Sequence, residues 1–89
     1  MTQVTTDIRV QVRYFAGAAA AAGRDDETVD LAAGSGLGDL VALLGARHGA
    51  GLARVLTACS FLLDEVAGPV DRPLHDEAQV DVLPPFAGG

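Results

Sequence analysis

The chain has 89 residues, 49% of them hydrophobic, and a formal net charge of −6 at pH 7. Its length and apolar content predict one folded domain, residues 1–89, with a single hydrophobic core. Six arginines, no lysine and 12 acidic residues do not provide the clustered cations that bind nucleic acid, and the longest apolar run is too short to span a bilayer. We therefore expect neither a nucleic-acid nor a membrane partner.

The first predicted element is a strand, which follows a loose polar tail of residues 1–7. Its side chains alternate between apolar and polar with a period of two, typical of a half-buried strand, and the apolar ones are Ile8, Val10, Val12 and Tyr14. The alanine-rich run from Ala16 to Ala22 has a high helix propensity and stops at Gly23, which predicts a short helix with a glycine cap.

A second strand and the main helix are predicted next. The charged segment from Arg24 to Glu27 is expected to be a solvated turn, and Thr28 to Leu31 a strand. Glycines at 34 and 36 then break the chain. The following helix has apolar side chains at i, i+3, i+4 and i+7 on one face, namely Leu37, Leu40, Val41 and Leu44. It is predicted to end at the Gly-Ala-Gly segment of residues 49–51.

The C-terminal half of the chain is predicted to be mainly strand. Residues 52–56 favour one further helical turn, and Cys59 to Leu63 favours a strand. Val66 beside Gly68-Pro69 indicates a short edge strand, and Gln79 to Leu83 alternates as the last strand. Four to five short strands and one main helix predict an α+β fold, a mixed sheet with the helix packed on one face and short extra helices.

The side chains that could act as nucleophiles, metal ligands or catalytic carboxylates are interpreted as structural. Cys59 is the only cysteine, which excludes a disulfide within the chain and favours a reducing cytoplasm, and its apolar surroundings favour a buried thiol. His48 and His75 have no partner at the spacing of metal ligands. The acidic pairs Asp64-Glu65 and Asp76-Glu77 are predicted to lie in solvated turns. We therefore expect no metal site, and no catalysis by this chain alone.

The last six residues are the most informative segment, Pro84-Pro85-Phe86-Ala87-Gly88-Gly89. Two prolines lack backbone donors, so they end sheet pairing and stiffen an extended exit. The Gly-Gly that follows is thin, and no Cβ shields its carboxylate. Residues 84–89 are therefore predicted to be a flexible tail whose C-terminus enters a narrow enzyme channel and is converted there chemically. The alternative is an ordinary frayed end, in which two final glycines would occur by chance in roughly 1.5% of such compositions.

This ending resembles that of the small, sulfur-carrying subunit of molybdopterin synthase, the MoaD-type branch of the ubiquitin-like sulfur carriers. Arg13-Tyr14-Phe15-Ala16 is similar to the end of the family's first strand, residues 34–44 to its main helix, and Pro73-Leu74 to its last turn. The turn before the last strand departs from the family, with His75-Asp76-Glu77-Ala78 in place of a Gly-Asp turn, and Asp64 stands where an Asn is common. The resemblance implies the β-grasp, or ubiquitin-like, fold.

The resemblance also implies a chemistry for the C-terminus. A ubiquitin-activating-type adenylyltransferase would use ATP to adenylate the carboxylate of Gly89, and a sulfur donor protein would convert it to a thiocarboxylate. Gly89 would then give its sulfur to a cyclic pyranopterin precursor to form the molybdopterin dithiolene. Gly88 would thread the channel of the large subunit, and the direction of the tail would be set by Pro84, Pro85, Phe86 and Ala87. No cofactor is expected to be bound by this chain itself.

A docking surface for the large subunit is implied at the root of the tail. By position in the family pattern, Phe15, Ala67 and Leu83 should face outward, with Phe86 at the channel mouth. The strand pattern agrees, because Phe15 falls on the opposite side of its strand from the apolar set, as Leu83 does on the last strand. The alternative is that Phe15 and Leu83 belong to the core. We expect a heterotetramer with two copies of this chain at opposite ends of a large-subunit dimer.

Three alternative functions remain open. The first is a sulfur carrier for another pathway, cysteine or thiamin synthesis; the thiamin branch has shorter chains that lack the insertion between Ala16 and Gly23. The second is a protein modifier that attaches to target lysines. The third is a structural ubiquitin-like interaction module in which Gly-Gly has no chemical role.

Overall fold

The computed structural model describes residues 7–85 and contains a five-stranded sheet and three helices in that range. The elements in chain order are β1 (Asp7–Tyr14), α1 (Gly17–Ala22), β2 (Asp26–Ala32), α2 (Leu37–His48), α3 (Ala50–Leu56), β3 (Ser60–Leu63), β4 (Val66–Ala67) and β5 (Ala78–Leu83). The strand order is β2-β1-β5-β3-β4, in which β1 and β5 are parallel and the other pairs antiparallel. This mixed sheet confirms the predicted α+β class.

The hydrophobic core lies between the helices and one face of the sheet. In β1 every second residue is buried, as its alternation predicted. From α2 the fully buried side chains are Leu37, Leu40 and Leu44, and Val41 is half-buried and packs against them, as the apolar face predicted. The fully buried side chains of β5 are Ala78, Val80 and Val82. The inner face of the sheet is therefore sealed, which leaves its outer face for other contacts.

The helix ends follow from glycine chemistry. Gly23 adopts a left-handed conformation with φ 76°, and its N–H donates to Ala19 O at 2.9 Å, which is the predicted glycine cap of α1. Helix α2 ends at His48, as expected, and the further helical turn predicted for residues 52–56 is α3, which begins two residues earlier, at Ala50. The two helices approach closely where Gly45 has no side chain, since a Cβ at Gly45 would lie 3.2 Å from the Ala53 Cβ.

The loop before β5 caps the N-terminus of α2. The first N–H groups of a helix have no partner within it and must find acceptors elsewhere. Here Leu37 N donates to Arg72 O at 2.9 Å and Gly38 N donates to Val70 O at 2.8 Å. The Asp39 carboxylate accepts from Gly36 N at 2.8 Å. The loop and the helix thus hold each other in place.

The two turns that depart from the family pattern are well formed. Asp64 and Glu65, between β3 and β4, both have positive φ, 49° and 70°, as a tight hairpin turn of the primed type requires. Asp64 Oδ1 also accepts from Gln79 N at 3.0 Å, which ties this hairpin to β5. Before β5, Glu77 has φ 65° and its N–H donates to Arg9 O at 2.7 Å. Substitution of the usual residues has therefore not removed either turn.

The prediction of a solvated turn from Arg24 to Glu27 is wrong at Glu27, which is buried. It lies in β2, which begins at Asp26, and its side chain is only 5% exposed. Its carboxylate accepts from Tyr14 Oη at 2.5 Å and Arg47 Nη1 at 3.2 Å, and His48 Nε2 lies 2.5 Å away. Burial by itself would raise the pKa of Glu27, but the three hydrogen bonds outweigh it and hold that pKa below its ordinary value.

Replacing Glu27 by Gln should lower the free energy of unfolding by about 1–3 kcal/mol at pH 7, because buried hydrogen bonds to a charged acceptor are lost. A carboxyl with a depressed pKa in the folded chain stabilises above its unfolded pKa, and this stabilisation disappears as the pH falls through the folded value. The difference between wild type and variant should therefore shrink below the ordinary value of 4.5.

Urea unfolding at pH 7 and in acid, down to the lowest pH at which the chain still folds, would measure this difference. Asp25→Asn is the matched control, since it removes one charge from an exposed position two residues away. Equal stability of wild type and Glu27→Gln at pH 7 would show that the buried cluster contributes nothing.

Candidate functional site

The outer face of the sheet presents one continuous patch at the root of the tail. The strand register places Arg13 beside Asp81, Asp81 beside Leu62, and Leu62 beside Ala67. One step further along, Phe15 N donates to Val82 O, and Leu83 is in register with Ser60. Residues paired across strands share a face. We call this surface the outer-face patch; its members are Phe15, Leu62, Ala67, Leu83 and the pair Arg13–Asp81.

The patch brings together the three predicted contact residues of the described chain. Phe15 is 38% exposed, Ala67 is exposed and Leu83 is half-buried. None of them belongs to the buried core, so the alternative that Phe15 and Leu83 are ordinary core residues does not hold. Apolar side chains grouped on one exposed face are typical of a partner surface. Their contact with a partner stays a prediction.

The Arg13–Asp81 pair was not predicted from the sequence. Arg13 Nε donates to Asp81 Oδ1 at 2.8 Å and Arg13 Nη2 donates to Asp81 Oδ2 at 3.0 Å, a two-point fork. The hydrogen bond to Asp81 raises the pKa of the Arg13 guanidinium further above its ordinary value. Arg13 also lies over the ring of Phe15, with its Cζ 5.6 Å from the ring centroid. The two partners are 68 residues apart, so only the register reveals them.

Arg72 holds the loop that follows Ala67. Its guanidinium donates to Val66 O at 2.6 Å, Pro69 O at 2.8 Å and Gly68 O at 3.0 Å. A Cβ at Gly68 would lie 3.0 Å from Arg72 Cζ, so a larger residue there would displace the guanidinium. A single cation bound to several carbonyls of one loop fixes its shape. Ala67 is thus presented to the patch by an ordered segment.

The tail leaves the sheet from the patch. Leu83 is the last residue of β5, Pro84 follows it half-buried, and Pro85 is exposed. Neither proline lies in a helix or strand, in keeping with their lack of backbone donors. The remaining predicted tail residues, Phe86, Ala87, Gly88 and Gly89, lie outside the described residues.

The other reactive side chains have structural partners. Cys59 is half-buried, its Sγ donates to Val55 O at 3.2 Å, and burial raises the pKa of the thiol, which keeps it neutral. His75 Nε2 lies 2.5 Å from Asp64 Oδ2, and the pKa of His75 is raised by this contact. Within residues 7–85, no three His, Cys, Asp or Glu side chains come together as they would around a metal ion. No helix in that range is long and apolar enough to cross a membrane.

This topology, a mixed five-stranded sheet covered on one face by helices, defines a β-grasp, ubiquitin-like domain. The profile of the ThiS family matches residues 12–89. The chain therefore belongs to the ThiS family, as the resemblance of its C-terminus to the MoaD-type sulfur carriers predicted.

Individual relatives agree with this assignment. The molybdopterin synthase sulfur carrier subunit of Chlamydomonas reinhardtii is 36% identical over 84 residues, which cover 92% of this chain and 100% of the relative. A chain in the complex of subunits 1 and 2 of the molybdopterin-converting factor from Helicobacter pylori is 25% identical, with a TM-score of 0.66, and the match covers 92% of this chain and 100% of that one. The family and these relatives confirm the predicted sulfur-carrier role.

One similarity supports the fold alone. The small archaeal modifier protein 1 of Haloferax volcanii superimposes with a TM-score of 0.79 at 21% identity, over 89% of this chain and 99% of that one. At this identity the shared architecture does not carry a function across.

Proposed function

We propose that this chain is the sulfur-carrier subunit of a molybdopterin synthase and acts through the C-terminal carboxylate of Gly89. The observation that carries the proposal is the course of β5. This strand runs through the centre of the outer-face patch, at Asp81 and Leu83, and continues directly into Pro84 and Pro85. The same strand thus contributes to the docking surface and leads the chain toward its reacting end.

The chemistry proceeds in three steps, and this chain supplies the acyl group that carries the sulfur. A carboxylate oxygen of Gly89 attacks the α-phosphorus of ATP on an adenylyltransferase of the ubiquitin-activating type, and pyrophosphate leaves. Hydrosulfide supplied by a donor protein then attacks the carbonyl carbon of this acyl adenylate, and AMP leaves, which gives the thiocarboxylate. That sulfur finally attacks a carbon of the pterin precursor, from which an oxygen substituent leaves. Hydrolysis of the resulting thioester leaves the sulfur on the pterin as a thiolate and returns the carboxylate of Gly89.

This chain contributes no catalytic side chain to these steps in our proposal. Each carrier delivers one sulfur, so that two are needed for one dithiolene. Gly88, without a Cβ, would pass through the narrowest part of a partner's channel. Pro84 and Pro85 would keep the intervening segment extended, with Phe86 and Ala87 between them and the glycines. ATP is a substrate of the activating enzyme, and no cofactor is assigned to this chain.

The partner that we propose is the large synthase subunit. Its contact would cover the outer-face patch, in a heterotetramer with one carrier at each end of a large-subunit dimer. The relative from Helicobacter pylori, which is described as a complex of subunits 1 and 2, supports such a pairing. A single cysteine, Cys59, is in keeping with a reducing cytoplasm, where thiols stay free.

Intact-mass measurement tests the proposal. The chain is incubated with ATP, an activating enzyme and a sulfur source, and the expected shift equals the replacement of one oxygen atom by sulfur. Reactions without ATP are the control and should show no shift. The sulfur-loaded chain should then produce dithiolene when it is mixed with the large subunit and the pterin precursor.

The remaining functions are distinguished by the same assay. An unchanged mass with enzymes that are active on another carrier would favour a structural module. Sulfur loading without dithiolene formation would favour a carrier for cysteine or thiamin synthesis. Covalent attachment to a target lysine would favour a protein modifier.

A further inference from the structure

The Arg13 guanidinium retains unused hydrogen-bond donors. A guanidinium has five N–H groups. Within residues 7–85, Arg13 uses them for two side-chain hydrogen bonds, both to Asp81, through Nε and Nη2. Both N–H groups of Nη1 and the second N–H of Nη2 therefore face away from the pair. The Arg13 side chain is 46% exposed, whereas that of Asp81 is only 6% exposed, so the guanidinium is the half of the pair that water reaches.

The guanidinium has apolar neighbours on one side and carboxylates on the other. Asp26 of β2 is in register with Arg13, and the negative charge of Glu65 also acts on it, but among the described residues only Asp81 forms hydrogen bonds with it. Along the register, Asp81 separates Arg13 from Leu62 and Ala67, and Phe15 stacks with Arg13 at 5.6 Å. A partner that covers Phe15 and Leu83 also covers Arg13 and removes its water. Buried donors without acceptors cost free energy, about 1–3 kcal/mol each and more for charged groups. A purely apolar partner surface would therefore bind this patch poorly.

We propose that Arg13, held by Asp81, is a specificity-determining contact of the outer-face patch and binds a carboxylate or a set of carbonyl oxygens on the large synthase subunit. This inference rests on the proposed function and adds the chemistry of the partner at one point of the interface. The fork to Asp81 orients the guanidinium in advance, so little side-chain entropy is lost when the partner's acceptor arrives.

The group required opposite Arg13 differs in charge from the partner surface as a whole. A chain with a net charge of −6 is expected to favour a partner that is more basic overall. At Arg13 the required group has the opposite character, an acceptor beside the apolar contact that Phe15 and Leu83 provide. Such a local requirement excludes surfaces that match the patch in shape and hydrophobicity but lack the acceptor, which is how interfaces reject wrong partners.

The double variant Arg13→Leu with Asp81→Leu tests this inference. It removes both charges, leaves the net charge of the chain unchanged and makes the patch wholly apolar. Replacing such a pair by apolar residues is commonly neutral or stabilising for a fold. If docking depended on hydrophobic area alone, the variant would bind the large subunit as tightly as wild type or more tightly. We expect instead a Kd on the order of 30-fold higher, since the partner's acceptor would be buried without a donor.

Arg9→Leu with Asp30→Leu is the matched control. This pair is also in register between strands, on the same sheet face, with Arg9 Nε 3.5 Å from Asp30 Oδ1 and both side chains about equally exposed, at 60% and 63%. It lies outside the outer-face patch, and its removal should leave the Kd unchanged. A third variant, Arg13→Lys, keeps the charge but loses the fork and should weaken binding to an intermediate degree.

Titration calorimetry with the large subunit measures the Kd values, and thermal melts of the free chains verify that each variant is folded. Wild-type binding together with equal or tighter binding of the Arg13–Asp81 double variant would overturn the inference and leave the proposed function intact. Absence of wild-type binding would overturn the proposed interface and the inference with it. The mass shift in the loading assay tests the carrier chemistry separately, because its readout does not require the large subunit.

Discussion

Deleting Gly89 is expected to abolish sulfur transfer in a reconstituted synthase while leaving the free energy of unfolding unchanged. The deletion removes no apolar side chain, and the buried core lies within residues 8–82. It moves the terminal carboxylate by one residue, roughly 3.3–3.6 Å. A displacement near 1 Å can already cost ~100-fold in rate, because reacting atoms must be held at close range.

Addition of one glycine after Gly89 should have the same effect, since it displaces the carboxylate in the other direction. Ala87→Gly is the matched control, because it alters the tail without changing its length, and it should retain transfer. Binding to the large subunit should be largely retained by both length variants, since the outer-face patch is untouched. Dithiolene formation by the truncated chain would contradict the proposed function.

Leu83→Asp is expected to weaken docking on the large subunit by on the order of 2–4 kcal/mol, the range of a central interface residue. Leu83 lies on the outer face, opposite in direction to the buried Val80 and Val82, so the fold should tolerate the change. In the complex, however, the new carboxylate would lose its water within the apolar contact next to Phe15, and this desolvation is costly.

Thr28→Asp provides the comparison for this variant. Thr28 is exposed on β2, two strands from β5 in the sheet order, and the substitution adds the same charge outside the patch. Co-purification and calorimetry should show normal binding for Thr28→Asp and a large loss for Leu83→Asp, with circular dichroism confirming both folds. Equal binding of the two variants would show that the patch is wrongly placed.

Local chemistry made much of the fold predictable from the sequence. The alternation in β1 and the left-handed Gly23 are properties of a few neighbouring residues, and both are as predicted. Helix α2 was located by its i, i+3 and i+7 spacing, which places Leu37, Leu40 and Leu44 in the core. Such short-range patterns predict the structure correctly where the buried side of a helix or strand is determined by its own sequence.

The wrong predictions concern residues whose burial or conformation depends on contacts with distant parts of the chain. Glu27 was predicted to be solvated because carboxylates are seldom buried without partners, and its partners, Tyr14, Arg47 and His48, are 13 to 21 residues away. The further helical turn was predicted for residues 52–56, whereas α3 already begins at Ala50 and packs on Gly45 through Ala53, a contact that short-range patterns do not reveal.

The same reason limits what could be predicted of the site. Phe15 and Leu83 could be placed on outward faces by alternation within each strand. Arg13 and Asp81 could not be paired, because opposite charges 68 residues apart become neighbours only through the parallel register of β1 and β5. The sequence of a strand thus predicts on which face of the sheet a residue lies. It does not predict which residues of other strands lie beside it on that face.

The position of β5 determines how the domain bears a mechanical load. This strand lies in the middle of the sheet, in register with five residues of β1 on one side and four of β3 on the other. A pull on Pro84 along the strand direction would strain both ladders together, in shear, whereas an edge strand such as β4 could be peeled away one hydrogen bond at a time. A partner that drew the tail into a channel, as we propose, would therefore load the sheet in shear and leave the fold of the carrier intact.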